Sequence, residues 1–157
     1  MSHAIIQIIC AGFGTLGFSL FFRVRPAHLL FATLGGILSW TVYLICYHWL
    51  DVFFSSLIAA FVVCLWAELM ARARKAPATI FLIPGIIPLL PGGALYYAMS
   101  GIINTERVLF VGKGMETIYI AVGIVGGILF ASEIVRVIMR DFGKSKKNES
   151  ASVDGRK

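Results

Sequence analysis

Charge is what this sequence has least of. Asp, Glu, Lys and Arg make up 14% of its 157 residues, against about a quarter in an ordinary soluble domain. Hydrophobic residues make up 59%, and together the two figures exclude a water-soluble globular domain and point to an integral membrane protein. Cysteine is scarce too. Cys10, Cys46 and Cys64 fall inside apolar runs with no C-x-x-C or Cys/His spacing, so neither a disulfide framework nor a metal site is expected. His3, His28 and His48 lie at the edges of apolar runs and are not spaced as ligands; they read as interfacial anchors. No Ser/His/Asp set and no phosphate-binding loop occurs, so neither an enzyme nor a cofactor is expected. The opening MSHAIIQII has no Lys or Arg ahead of its apolar run, unlike a secretory signal peptide, and the run is expected to be retained as a span.

What the sequence has instead is length in its apolar runs. A bilayer core of roughly 30 Å needs about 20 apolar helical residues, and five stretches qualify: 4–22, 28–48, 52–71, 76–105 and 117 to about 139. The fold class is therefore all-α, a five-span membrane domain over residues 1–141. The polar, coreless segment 142–157 is expected to be a disordered basic cytoplasmic tail.

The net charge of +6 fits a topology signal better than nucleic-acid binding, because the basic residues sit at the ends of apolar runs. Arg23 and Arg25 separate spans one and two, Arg72, Arg74 and Lys75 separate three and four, and Arg140, Lys144, Lys146 and Lys147 follow span five. The intervening loops are poor in basic residues: YHWLD has none, and ERVLFVGKGME balances Arg107 and Lys113 with Glu106 and Glu116. The positive-inside rule then predicts an outside N-terminus and a cytoplasmic C-terminus. Tyr43, Tyr47 and Trp49 fall where span two should meet the outer interface, as aromatic belts do.

The fourth span is the unusual one. IPGIIPLLPGG, residues 83–93, places Pro84, Pro88 and Pro91 with Gly85, Gly92 and Gly93 inside an uncharged run. Proline removes a backbone donor and clashes with the preceding turn. The pattern predicts an interrupted span, with one half-helix over about 77–83, an irregular centre, and a second half-helix over about 93–103. Irregular backbone at membrane depth is tolerated only where it is buried in protein or lines an aqueous cavity. Secondary transporters build midplane substrate sites in this way. The start of the second half-helix at Gly92 and Gly93 would offer N–H groups to a carboxylate, with Tyr96 and Tyr97 one turn on as hydroxyl donors. The alternative is a proline-kinked structural helix with no ligand.

These residues also carry a resemblance. PATIFLIPGIIPLLPGGALYYAM resembles the signature of the threonine/serine exporter family at Ile87, Pro88, Pro91, Gly92, Tyr96, Ala98 and Met99. The layout of residues 1–140 is similar to the family's C-terminal five-span module, although only the signature is specific. The resemblance implies export of small polar metabolites: threonine and serine in the type case, and a dicarboxylate such as succinate in others. It also implies the smaller subunit of a split pair, whose larger homologous partner is encoded nearby. An odd number of spans flips the second half, as an inverted repeat requires.

Small residues suggest where helices approach. Gly123, Gly127 and Ala131 form a small-xxx-small series in span five, and Gly12, Gly14 and Gly17 lie in span one. Such series let helix backbones come close in lipid, either within this chain or against a partner. Ionisable residues are absent from the span centres. Glu68, near the inner end of span three, is the candidate pathway acid or else a neutralising partner of Arg72, and Glu133 with Arg136 is spaced for a structural pair. If transport is proton-coupled, the key acid is then expected on the partner subunit.

The reading that best fits is a multi-pass subunit of a secondary exporter for small carboxylate-bearing metabolites in the inner, cytoplasmic membrane. It would work by alternating access with its larger partner; five spans are too few to enclose a pathway alone, so a homo-oligomer is the other expectation. A membrane scaffold or assembly subunit that does not transport, and a homo-oligomeric channel, are the alternatives.

Overall fold

The computed structural model describes residues 2–154, with side chains described for residues 3–138. Every regular element among the described residues is helical: α1 (Ser2–Phe21), α2 (Pro26–Tyr47), α3 (Val52–Arg74), α4 (Thr79–Ile86), α5 (Gly92–Ile103) and α6 (Arg107–Asp154), with a single 3-10 turn, Ile87–Leu89, between α4 and α5. In lipid a backbone must satisfy its own polar groups, which leaves apolar runs of this length no alternative to helix. α1, α2, α3 and α6 are each long and apolar enough to cross a membrane, and α4 with α5, bent by 47° at the break, is long and apolar enough only as a pair, which makes four candidate crossings, or five if the pair is one span.

Three helix ends close with the same device. Arg23, Lys75 and Thr105 take left-handed φ values of 53°, 50° and 60°. The next N–H then reaches back five residues, from Val24 to Ser19 O at 3.0 Å, Ala76 to Ala71 O at 3.0 Å and Glu106 to Gly101 O at 2.8 Å. These wrapped ends satisfy carbonyls left over by the final turn and reverse the chain within a few residues.

α3 is the central helix, packed against α2, α4 and α6, while α1 packs on the outer side of α2. Small side chains permit this. The buried face of α3 is Ser55, Ser56, Ala59, Ala60, Val63, Cys64, Ala67 and Ala71. Against it lie Gly123 and Gly127 of α6: a Cβ at Gly123 would stand 2.7 Å from Phe53 O, and one at Gly127 would strike Leu57 O and stand 2.9 Å from Phe61 N. Ala131, next in the series, is fully buried. The seam therefore lies within this chain. In α1 the three glycines differ: Gly12 abuts Ile37, whereas Gly14 and Gly17 face open space.

These contacts also sort the helix ends. Gly123 meets Phe53 and Gly127 meets Leu57, so α6 runs parallel to α3. The Arg74 guanidinium lies 4.1 Å from the Phe31 ring centroid, and Trp66 Nε1 donates to Phe31 O at 3.2 Å. The C-terminal end of α3 therefore meets the N-terminal end of α2, and Arg23, Arg25, Arg72, Arg74 and Lys75 belong to one end of the bundle.

The structure departs from the expected boundaries in three places. The first half-helix is Thr79–Ile86 rather than 77–83, and it carries Pro84 inside it; one lost N–H leaves only the Ile80 carbonyl without its usual donor. The stretch expected to be a loop before residue 117 is helical from Arg107. Charge does not break a helix, since Arg, Glu and Lys are good helix formers, and Lys113 and Glu116 pair on one face at 2.6 Å. Finally, α6 continues to Asp154, past the boundary at 141 where the tail was expected to begin. The side chains of that segment, and residues 155–157 altogether, lie outside the described set.

Candidate functional site

The break between α4 and α5 is a problem of backbone accounting. In an uninterrupted helix, the carbonyls of Ile80, Pro84 and Ile87 would accept from residues 84, 88 and 91. All three of those are proline and have no N–H to give. Two of the carbonyls are rescued by tightening to 3-10 bonds: Ile87 N–H donates to Pro84 O, and Leu90 N–H donates to Ile87 O at 3.2 Å. Tightening costs Gly85 its own donor. Its carbonyl accepts instead from Ser39 Oγ of α2 at 2.7 Å, a hydroxyl that also lies 2.9 Å from Gly36 O. Both Ser39 and Gly85 are buried.

That bond needs very close helices, and glycines make them so. Gly85 faces Val63 Cγ2 and the backbone of Gly35; a Cβ there would stand 2.6 Å from the former and 3.6 Å from the latter. One residue on, Gly36 receives Thr15 of α1. Ser39 was not among the expected site residues. Its signal was a hydroxyl in the middle of an apolar span, three residues after a glycine pair.

Beyond the 3-10 turn the chain extends through Leu90, with φ −60° and ψ 134°, and Gly92 N–H donates to Leu90 O at 2.7 Å. α5 then starts at Gly92 with no capping side chain, so the first-turn N–H groups of Gly93 and Ala94 have no intrahelical acceptor. Gly92 and Gly93 are exposed, and an added Cβ at either would meet nothing within 4 Å. Pro88 and Pro91 are partly covered, and Pro84 is buried in the core.

The two tyrosines are placed differently from the rest. Tyr96 and Tyr97 are 68% and 54% exposed, with their rings edge to face at 5.5 Å. They stand on α5, which packs principally on α6. This chain therefore supplies one wall of the break and leaves the other flank of α5 bare. Glu68 is not at the break. It pairs with Arg72 at 3.6 Å, one turn closer to the basic end of α3 than Val63, which faces Gly85. Glu133 and Arg136 pair at 3.0 Å on the exposed surface.

One further polar group was not anticipated. Trp40, next to Ser39, is partly exposed, yet its Nε1 is sealed from solvent and finds no acceptor among the described residues. No group of three or more His, Cys, Asp or Glu side chains with metal-binding geometry occurs among the described residues.

Residues 7–134 match the family model described as Threonine/Serine exporter, ThrE. No curated protein matches the chain, and no solved structure matches it.

Proposed function

Because the chain belongs to the threonine/serine exporter family, we propose that it is one subunit of a secondary exporter whose substrate site is the break between α4 and α5. It is a multi-pass membrane protein and an exporter of the threonine/serine type. The substrate class is a small carboxylate-bearing metabolite, threonine or serine or a dicarboxylate such as succinate. The observation that carries this reading is the start of α5. There, uncapped N–H groups at the positive end of a helix sit behind two glycines with open space in front, and a carboxylate is the ligand such a terminus favours.

A second, larger homologous subunit closes the site. The bare flank of α5 supports this, since a substrate held at Gly92 and Gly93 by this chain alone would face the surroundings on one side. The same geometry supports alternating access. α4 is embedded against α2 and α3 while α5 rides on α6, so the break is the joint at which the two halves of the crossing can change their angle. The end bearing Arg23, Arg25, Arg72, Arg74 and Lys75 faces the cytoplasm, as positive-inside bias requires, and the membrane is the inner, cytoplasmic one.

Efflux tests the reading. Cells lacking both subunits are preloaded in parallel with threonine and with succinate, and this chain is expressed alone or together with the product of its neighbouring gene. Efflux only with both establishes the two-chain exporter. Efflux with this chain alone removes the partner, and no efflux of either metabolite overturns the proposed substrate class.

A further inference from the structure

Helix register fixes how far each element reaches. α1, α2 and α3 have 20, 22 and 23 residues, close to the about 20 that cross a bilayer core of roughly 30 Å. Gly12 of α1 abuts Ile37 of α2 while Thr15 reaches Gly36, and Gly35 of α2 faces Val63 and Trp66 of α3. This antiparallel pairing sets the start of α1, the end of α2 and the start of α3 at one level. Ile120 of α6 shares a cluster with Val52, the first residue of α3. Residues 107–119, the first 13 of α6, therefore project beyond that level, by about 20 Å at 1.5 Å per residue.

α5 goes with them. It packs principally on α6, and a Cβ at Gly101 would stand 2.7 Å from Phe110 N and 3.2 Å from Glu106 O. α5 and residues 107–119 thus form a tight antiparallel hairpin, with the break at its base and residues 104–106 at its tip. The hairpin is apolar on its outside. Met99, Ile102 and Ile103 make an exposed stripe on α5, and Val108, Val111 and Met115 make another on α6, each at the spacing of one helix face. Ile103 is 79% exposed and Val108 89%. Together the six expose on the order of 700 Å², close to the roughly 800 Å² per partner that a stable interface buries. Lipid does not reach a surface beyond the ends of α1, α2 and α3, and an apolar patch of this size facing water marks a protein-binding surface.

Charge decides which protein. Glu106 and Arg107, at the tip, make no ion pair among the described residues, whereas Lys113 and Glu116 neutralise each other at 2.6 Å. All four line an open groove of about 680 Å³ along the start of α6. The patch is neutral overall and carries one unpaired charge of each sign side by side, so it is complementary to itself. About a twofold axis, Glu106 of each copy faces Arg107 of the other, and both charges are paired at once. We propose that the tip of the hairpin, its two apolar stripes with Glu106 and Arg107, is the docking surface for a second copy of this chain. The base of the hairpin, with Gly92, Gly93 and Tyr96, stays clear of this contact and open to the larger subunit. The proposal does not depend on what is transported.

The test is cysteine cross-linking in membranes of cells expressing this chain alone, in a protein whose Cys10, Cys46 and Cys64 are replaced. Ile103→Cys is expected to give a homodimer with a short bis-maleimide, and Asn104→Cys takes its place should it fail to insert. Adding Glu106→Arg, or Arg107→Glu, should lower the dimer yield at least about tenfold, because like charges then face each other across the axis. The two charge-reversed proteins, tagged differently and coexpressed, should cross-link to each other at close to the original yield, which shows that both still fold. No homodimer from either cysteine overturns the proposal and leaves the exporter reading intact. Dimer yields that neither charge reversal moves overturn it as well. So does a cross-link that forms only on coexpression of the neighbouring subunit and joins this chain to it, since that subunit then occupies the tip.

Discussion

Ser39 of α2 donates its hydroxyl proton to the carbonyl oxygen of Gly85 in the broken helix, at 2.7 Å. This one bond ties the interrupted crossing to an uninterrupted neighbour. It exists because the prolines at 84, 88 and 91 force the chain to tighten, and tightening moves the natural donor away from Gly85.

Removing that donor should loosen the break. Ser39→Ala leaves the Gly85 carbonyl unpaired in a buried site, a loss of about 1–3 kcal/mol. Thermal unfolding of the detergent-solubilised protein is expected to begin several degrees lower. An unchanged melting temperature would show that the carbonyl has another partner.

Gly92→Ala and Gly93→Ala separate folding from function. An added Cβ meets nothing within 4 Å at either position, and alanine is the better helix former. Insertion and melting temperature should be equal to those of the unsubstituted protein or slightly higher. Export should nevertheless fall, because the methyl group stands where the carboxylate approaches the N–H groups. Full export by both variants would remove the start of α5 from the site.

The seam between α3 and α6 offers a matched pair. At Gly127 a Cβ would strike Leu57 O, whereas at Gly126 its nearest neighbour is Leu57 Cδ1 at 3.7 Å. Gly127→Ala is expected to cost about 1–3 kcal/mol by forcing the backbones apart, and Gly126→Ala to be nearly neutral. Yields of monodisperse protein and melting temperatures, measured side by side, decide it. Equal behaviour of the two variants contradicts the packing.

Thr105 holds φ at 60°, a conformation that a β-branched side chain adopts at a cost of about 1–2 kcal/mol. Thr105→Gly relieves that strain and should raise the melting temperature by a few degrees, with export unchanged. A lower melting temperature would mean that the side chain makes a contact worth more than the strain.

Labelling tests the orientation. In a protein whose Cys10, Cys46 and Cys64 are replaced, Asn104→Cys should react with a membrane-impermeant maleimide on intact spheroplasts. Lys75→Cys should react only after lysis. The opposite pattern inverts the topology.

Much of the architecture was legible because a bilayer imposes simple demands. Five runs of sufficient apolar length predict five crossings, and three prolines in one of them predict the break. The small-xxx-small series at Gly123, Gly127 and Ala131 identifies a close approach without saying to what. Less legible was how far each element would run. Pro84 sits inside α4 because a single missing donor is tolerated when the next turn tightens. The charged stretch before residue 117 is helical because Arg, Glu and Lys are good helix formers, and Lys113 and Glu116 add a pair one turn apart.

By itself the sequence determined the all-helical membrane class, the position of the break and the end of the bundle at which the positive charge collects. Each depends on local quantities: the apolar length needed to span lipid, the N–H groups that proline lacks, and the spacing of arginine and lysine along the chain. Tertiary structure alone decided which groups meet. Ser39 reaches Gly85 and Gly127 lies against the Leu57 carbonyl because glycines let helices distant in sequence approach to backbone contact. That approach depends on helix crossing geometry, which no local run of residues specifies.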